Sequence, residues 1–286
     1  MSTEQTETVR PTATMTGRAA TRAFREGGAH EGTGRASAAR VSALARDVLA
    51  RIHEVIREHD VTYPEYQAVK QWLIEVGEAG EWPLFLDVFA ESVVEQVHNA
   101  RREGTKGSIL GPYYLPGQRA LPARCTLPMR ADEPGLPLIV EGQVRGLDGE
   151  PIAGAVLDLW QADAHGYYSG FAPEIPDGNL RGVITTGADG RFEIRTIQPA
   201  PYEIPKDGPT GKLLSAAEWH AWRPAHLHLI VRGRGYRNII TQLYFEGGSW
   251  LDDDVASATK PELVLAPKPD AWGVQRVTYD FVLDPA

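Results

Sequence analysis

Two histidines stand two residues apart in the segment Arg-Pro-Ala-His-Leu-His at 223–228. On a β-strand alternate side chains share one face, so His226 and His228 would project together and could bind one metal ion from a rigid base. A bare His-x-His pair is also typical of a packed core histidine beside a surface one, and it suits zinc as well as other metals. The pair therefore indicates a metal site without identifying the metal.

The residues available to complete such a site are tyrosines. Cys125 is the only cysteine, and no His-Glu-x-x-His motif occurs. The acidic run at 252–254 lacks the alternation and the glycine of a calcium loop, which favours a solvated loop. Tyr167 and Tyr168 are adjacent, and Tyr202 lies among prolines that fix its backbone. A loop tyrosine is usually a packed ring with a hydrated hydroxyl, so each one alone indicates little.

The elements that would position these residues begin with helices. Apolar residues recur at three- or four-residue steps over 41–55, which predicts one helical stripe, and we expect order to begin near this point. Thr62, with a proline two residues later, predicts the N-cap of a second helix with a stripe over 66–76. Pro83 opens a third helix. Residues 41–102 therefore predict a small all-helical unit.

Strands follow the helices. Glycine and proline punctuate the chain after Gly104, and many short β-rich runs with no intervening helices predict an antiparallel β-sandwich or barrel. Asp189-Gly190, between two such runs, is typical of a hairpin turn. The runs that predict strands are 138–144, 155–160, 183–186, 191–197, 227–231, 239–245 and 277–283.

Charge and composition exclude several classes of function. The chain has 286 residues, a formal net charge of −9 and no basic patch, which argues against nucleic-acid binding. No run of about 18 apolar residues occurs, so no membrane span is expected. Residues 1–40 lack hydrophobic periodicity and the apolar core of a signal peptide, so we expect a flexible N-terminal segment and a cytoplasmic protein.

Several short motifs, taken together, resemble the intradiol ring-cleavage dioxygenases, in particular bacterial catechol 1,2-dioxygenases of the actinobacterial type. The likeness runs from about Val41 to the last residue. It implies a mainly β protein, with an antiparallel β-sandwich catalytic domain at 105–286 behind a helical dimerisation domain at 41–104. The motifs are Gly-Pro-Tyr-Tyr at 111–114, Val-Leu-Asp-Leu-Trp-Gln-Ala-Asp at 156–163, Gly-Tyr-Tyr-Ser at 166–169, Pro-Ala-Pro-Tyr at 199–202 and Arg-Pro-Ala-His-Leu-His at 223–228.

The resemblance implies iron(III) as the cofactor. Two phenolates are hard anionic donors that favour iron(III), whereas two histidines with one carboxylate are typical of iron(II) oxygenases. Tyr167 is the less favoured of the adjacent pair, because the family ligand stands second, just before a serine. The implied ligands are Tyr168, Tyr202, His226 and His228.

The resemblance also implies roles around the metal. Tyr202 would leave the metal when the diol binds and accept one of its protons. Arg223 and Gln242 would lie near the ring, where the guanidinium would stabilise developing negative charge. A surface salt bridge is the alternative for this arginine, as helix packing is for the apolar helix positions. The residues that would line the substrate pocket are Leu84, Asp87, Val88, Ile109, Gly111, Pro112, Tyr113, Val255 and Ala256.

The implied reaction is cleavage of catechol by O2 to cis,cis-muconate, in the degradation of aromatic compounds. Hydroxyquinol or a chlorocatechol is the alternative substrate, because one methyl-sized change in an apolar pocket shifts selectivity by only about 1–3 kcal/mol. Asp87 would either bind a third substrate hydroxyl or face the pocket rim. A zinc-bearing β-sandwich binding module is the alternative from another class. The implied partners are a second copy, paired through the N-terminal helices, and a phospholipid at that dimer interface.

Overall fold

The computed structural model describes residues 36–286. Residues 1–35, which hold most of the predicted flexible segment, lie outside the described residues. The described part begins with helices and continues as strands, as predicted. The helices are α1 Ala38–Glu58, α2 Tyr63–Ala79, α3 Trp82–Phe89, α4 Glu91–Asn99 and, between strands, α5 Pro209–Ala216.

The first two helices begin at side-chain caps. The Ser37 hydroxyl accepts a hydrogen bond from the backbone N–H of Arg40 at the start of α1. Thr62 and Glu65 form a capping box at the start of α2, which confirms the predicted N-cap. Gly80 ends α2 in the left-handed conformation with φ 71°, where a side chain would be strained.

The predicted third helix is two helices. Ala90, with φ −132° and ψ −31°, leaves the helical conformation and separates α3 from α4. The break redirects the chain so that the carboxylate of Glu91 accepts hydrogen bonds from the backbone N–H groups of Leu110 and Gly111. A single straight helix would continue along one axis. The break is what allows Glu91, at the start of α4, to bond the loop at 107–114.

Helix α1 contributes no buried residue. Its apolar stripe is solvent-exposed in the single chain, with Val41, Val48 and Ile52 each about half exposed. Within residues 36–286 no helix combines the length and the apolar content that a membrane crossing requires.

Fourteen strands, with α5 between two of them, follow α4 in the described residues. Most of the predicted strand runs lie within one strand each, and the run at 277–283 spans two. The bounds are β1 Ala120–Leu121, β2 Arg124–Thr126, β3 Pro137–Gly146, β4 Val156–Gln161, β5 Arg181–Thr185, β6 Arg191–Ile197, β7 Tyr202–Glu203, β8 Trp222–Arg223, β9 His226–Arg232, β10 Ile239–Phe245, β11 Val264–Leu265, β12 Lys268–Pro269, β13 Gln275–Thr278 and β14 Phe281–Leu283.

The strands form a sandwich of two sheets. One sheet has the order β1-β5-β4-β9-β10-β11; the other has the order β12-β13-β3-β6-β2, with β14 also paired to β3. The long central strands pair antiparallel, as predicted, while several short outer strands pair parallel. Inward-facing residues such as Leu157 and Leu229 of the first sheet and Ile194 and Phe281 of the second form one apolar core.

The turn at Asp189-Gly190 exists, but the predicted hairpin is wrong. The strand before the turn, β5, pairs with β4 and β1 in the first sheet. The strand after it, β6, pairs with β3 and β2 in the second. Gly190 supplies the positive φ of 70° that the turn needs. A local turn pattern reports that the chain reverses, without reporting which sheet the next strand joins.

Helix α5 interrupts the strands, which the sequence pattern did not indicate. Gly208 is its N-cap, and a proline lies in its first turn. Buried Glu81 accepts a hydrogen bond from the backbone N–H of Thr210 at 2.8 Å. The indole N–H of Trp72 donates to the carbonyl of Pro209 at 2.7 Å. These bonds attach α5 to the helical region, so its stability comes from tertiary contacts rather than from its own eight residues.

Candidate metal and substrate site

Strand register brings the central site residues into a row. In the antiparallel pairing, His228 on β9 lies opposite Trp160 on β4 and opposite Gln242 on β10. Opposed residues share a face of the sheet. The indole of Trp160 therefore stacks on the His228 ring, with centroids 4.7 Å apart and planes within 10°.

The two histidines point the same way, as their spacing predicts. Both side chains are buried, and their Nε2 atoms are 3.0 Å apart. The Nδ1 atom of His226 is 2.7 Å from the carbonyl oxygen of Pro224, which can only accept, so Nδ1 carries the proton and Nε2 presents a lone pair. Burial, with the nearby Arg223 charge, lowers the pKa of His226 to about 3, which keeps the ring neutral.

Tyr168 approaches the histidines from the loop after β4. Its hydroxyl is 3.1 Å from Nε2 of His228, and its ring stacks on Tyr113 with centroids 4.2 Å apart. Asp163 shapes this loop by accepting a hydrogen bond from the backbone N–H of Tyr167 at 3.0 Å. Of the adjacent tyrosines, Tyr168 is the buried one whose hydroxyl meets the histidines, while Tyr167 is half-buried.

Tyr202 completes the set from a short ribbon outside the two sheets. It lies on β7, directly opposite Arg223 on β8. Its ring centroid is 5.3 Å from that of Tyr168 and 5.6 Å from that of His226. Burial raises the pKa of both phenols, although the Arg223 charge opposes the rise at Tyr202.

The donor chemistry fits a hard metal ion. Two imidazole nitrogens and two phenol oxygens meet inside a buried cluster. Among residues 36–286, no group of three or more histidine, cysteine, aspartate or glutamate side chains is arranged to hold a metal. A metal at this place therefore depends on the tyrosines, whose raised pKa values mean that a strong positive charge would be needed to make them phenolates.

Arg223 lies beside the histidines and is fixed by a buried carboxylate. Its Nε and Nη2 atoms donate to Asp254 at 3.0 and 2.9 Å, and Nη2 also donates to Oε1 of Gln242 at 2.9 Å. Its Nη1 atom is 3.4 Å from Nε2 of His226. Burial opposes the charge, but Asp254 outweighs it and raises the pKa of Arg223 well above the ordinary value.

A second buried arginine lies behind Tyr168. Arg181 donates to the carbonyl of Ser169 through Nε and Nη2, and to the carbonyl of Tyr113 through Nη1 at 3.0 Å. Its guanidinium carbon is 6.0 Å from the centroid of the Tyr168 ring. The ion pairs of residues 36–286 include none with Arg181, and burial lowers its pKa to about 10.

The predicted pocket residues lie in three settings. Six of them pack in or against the buried apolar cluster that contains Tyr168 and Tyr202: Leu84, Val88, Ile109, Tyr113, Val255 and Ala256. Gly111 has φ 71°, and a Cβ there would be 3.5 Å from Cε1 of His228. Asp87 on α3 and Pro112 are half-buried and are not members of this cluster.

The sequence pattern missed Asp254 and Arg181. The acidic run at 252–254 predicted a solvated loop, and for Asp254 this is wrong, because its side chain is only 1% exposed and bonded to Arg223. Arg181 stands at the start of a strand, where a basic residue is usually exposed. Neither position has a local signal. Asp254 is 31 residues from Arg223 in the sequence, and Arg181 is 68 residues from Tyr113, whose carbonyl it bonds.

Comparison with known proteins defines the class to which this fold and site belong. The profile of the family described as Dioxygenase matches residues 109–285, and that of Catechol dioxygenase N terminus matches residues 38–106. The chain belongs to this family of intradiol ring-cleaving dioxygenases.

Individual relatives carry more specific names. A chlorocatechol 1,2-dioxygenase of Rhodococcus opacus is 45% identical over 85% of this chain and 97% of its own length. A catechol 1,2-dioxygenase of Acinetobacter lwoffii is 35% identical over 81% of this chain and 77% of its own. The crystal structure of 3-chlorocatechol 1,2-dioxygenase from Rhodococcus opacus 1CP superposes with a TM-score of 0.84 and 49% identity, over 87% of this chain and all of that one.

Proposed function

We propose that the chain cleaves a chlorinated catechol with O2, between the two hydroxyl-bearing carbons, at a non-haem iron(III) ion. The product would be the corresponding chlorinated cis,cis-muconate. The observation that carries this proposal is the meeting of four buried donor atoms of two kinds within one apolar cluster. The proposed iron ligands are Tyr168, Tyr202, His226 and His228.

The donor set favours iron(III) over zinc. Phenolate oxygens are hard anionic ligands, and a site that needs two of them suits a trivalent ion. Zinc sites are built from cysteine, histidine and carboxylate ligands, and the described residues offer only the two histidines here. When bound, iron(III) would draw electron density from the diol ring and make it reactive toward dioxygen.

A chlorinated catechol replaces unsubstituted catechol as the proposed substrate. The chlorocatechol enzyme of Rhodococcus opacus is more similar to this chain than the catechol enzyme of Acinetobacter lwoffii, at 45% against 35% identity. The walls beside the tyrosines support the choice, because Leu84, Val88, Ile109 and Ala256 are apolar and buried. A chlorine atom needs no hydrogen-bond partner there, whereas a third hydroxyl does.

The side chains around the ring would bind the diol, orient it and transfer its protons. Tyr202 lies on a two-stranded ribbon apart from the main sheets, which suits a ligand that leaves the metal and accepts a proton from the diol. Gln242 donates to the carbonyl of Ile109 at 2.9 Å and lies 3.2 Å from Nδ1 of His228, so it fixes that ring. Arg223 would stabilise negative charge that develops on the substrate.

Turnover ratios test the substrate. We expect kcat/KM for 3-chlorocatechol to equal or exceed that for catechol, and both to exceed that for hydroxyquinol. Product identification by mass spectrometry should give the chlorinated cis,cis-muconate. A clear preference for hydroxyquinol would transfer the proposal to that substrate and give Asp87 a binding role. Turnover of catechol alone would restore the unsubstituted diol.

We also propose that the chain pairs with a second copy through α1. A monomer rarely exposes a continuous apolar stripe of this length. Replacing Val48 and Ile52 by glutamate should convert a dimer to a monomer in light scattering, while Arg46→Glu on the opposite face should not. A monomeric parent protein would contradict this. The phospholipid at such an interface stays a prediction.

A further inference from the structure

One nitrogen of the Arg223 guanidinium is directed at the site, and the other two are bonded to Asp254. Nε and Nη2 form the fork that meets both oxygens of Asp254 at 3.0 and 2.9 Å. A planar guanidinium held at two corners has no remaining rotation. The third corner, Nη1, is thereby directed at Nε2 of His226, 3.4 Å away.

Asp254 also holds part of the pocket wall. Its Oδ1 accepts a hydrogen bond from the backbone N–H of Ala256 at 3.1 Å, and its Oδ2 accepts one from Ala258 at 3.2 Å. The backbone N–H of Val255 donates to the carbonyl of Trp222, the residue before Arg223. One buried carboxylate therefore ties the β8 arm that carries Arg223 to the turn that carries Val255 and Ala256.

We propose that Asp254 is a positioning residue for ring cleavage, which acts by holding Nη1 of Arg223 beside Nε2 of His226, where it would face the bound diol. The proposal rests on the proposed function, since it gives this arginine its task. Asp254 accepts four hydrogen bonds, two from the Arg223 guanidinium and two from the turn that carries the predicted pocket residue Ala256. Asp254 also neutralises the arginine, so the pair would act through direction more than through net charge.

Asp254→Asn tests the aiming with little change of shape. An amide oxygen can still accept from Ala256, but the amide nitrogen cannot accept from the guanidinium, so the fork is lost. We expect kcat on 3-chlorocatechol to fall about 10- to 100-fold, the usual effect of removing an outer partner of a functional group. KM should change by less than about threefold, because apolar walls rather than the fork bind the ring.

A spectroscopic measurement separates positioning from loss of structure. Asp254 is not a proposed ligand, so the variant should keep the iron content and the visible tyrosinate-to-iron(III) band of the parent protein. Anaerobic titration with 3-chlorocatechol, followed through that band, should give a dissociation constant close to the parent value. Loss of iron or of the band together with activity would show a merely structural role and overturn the proposal.

A double-mutant cycle tests whether Asp254 acts through Arg223. In an Arg223→Leu background, Asp254→Asn should lower kcat by less than about twofold further, since its effect has already been removed. Two multiplicative losses would overturn the proposal. The double variant also removes both buried charges together, so it should be no less stable to heat than Asp254→Asn alone.

Two further variants keep the test decisive. Asp254→Glu retains the charge but lengthens the arm by one methylene, so it should displace the guanidinium and still lower kcat at least about fivefold. Asp252→Asn, an exposed carboxylate in the same turn, is the matched control and should match the parent in every measurement. A parent protein without iron or turnover would refute the proposed function itself, whereas full activity in the Asp254 variants of an active parent would refute only this inference.

Discussion

Two buried arginines flank the donor atoms, and the protein treats their charges differently. On the histidine flank, Arg223 pairs with the carboxylate of Asp254, and its pKa is raised. On the tyrosine flank, Arg181 is held by the backbone carbonyls of Ser169 and Tyr113, and burial lowers its pKa to about 10. Both side chains are almost completely buried, so burial alone cannot account for the difference.

We infer from this difference that Arg223 would supply a donor of fixed direction, whereas Arg181 would supply positive charge. The pair of Arg223 and Asp254 is close to neutral, so its proposed contribution is a hydrogen-bond donor fixed in space. Arg181 lies 6.0 Å from the centre of the Tyr168 ring with only neutral acceptors bound to it, so its charge is less compensated. Asp158 offsets part of this charge, but a partly compensated cation at that distance still favours the phenolate form of the tyrosine.

The largest effect is expected from Arg223→Lys. Lysine keeps the positive charge but cannot grip both carboxylate oxygens and still direct a third donor at the site. If direction is what matters, kcat on 3-chlorocatechol should fall by about 100- to 1,000-fold, close to the loss for Arg223→Leu. Steady-state turnover with iron-loaded protein checks this. A lysine variant with a kcat close to that of the parent would mean that a positive charge is sufficient beside the histidines, without a donor of fixed direction.

A smaller effect is expected from Arg181→Met. The change leaves the buried carbonyls of Ser169 and Tyr113 without their donor, which should lower the free energy of unfolding by roughly 2 kcal/mol. Loss of the cation near the phenolate should also move the tyrosinate-to-iron(III) band to longer wavelength. Thermal unfolding and visible spectra of the loaded protein measure the two effects.

Arg181→Lys is the matched control for that change. It retains the charge, so its band should lie closer to the parent position than that of the methionine variant. Equal band positions in the two variants would show that the charge of Arg181 does not act on Tyr168, and the contrast between the flanks would fail.

The smallest effect is expected from Tyr244→Phe. The Tyr244 hydroxyl donates to Oε1 of Gln242 at 2.7 Å, on the far side of the Arg223 fork. Its removal deletes one of two bonds to that oxygen and leaves the bond from Arg223, so a loss of about 1 kcal/mol in stability and about fivefold or less in kcat is expected. Calorimetry and turnover test this. A loss as large as that of Arg223→Lys would place the aiming function on Tyr244 instead.

The local part of this architecture was predictable from the sequence. Alternation on β9 predicts that His226 and His228 share a face, and the capping signal at Thr62 predicts the start of α2. Each of these inferences depends on residues within one element. The resemblance to a known family then added the two tyrosines, which no periodicity indicates.

The long-range part was not predictable in this way. Asp254 looks like its exposed neighbours Asp252 and Asp253 until the chain folds Arg223 onto it. The turn at Asp189-Gly190 looks like a hairpin until its strands join different sheets. In both cases the outcome depends on a partner far away in sequence, which a local pattern does not contain.

The metal content and colour of the purified protein show whether the four proposed ligand side chains hold iron(III). Iron analysis and a visible spectrum of the parent, compared with Tyr168→Phe, should show about one iron per chain and a tyrosinate-to-iron(III) band that weakens or shifts in the variant. A colourless parent that holds zinc and no iron would rule out the iron(III) site and favour a zinc-bearing binding module.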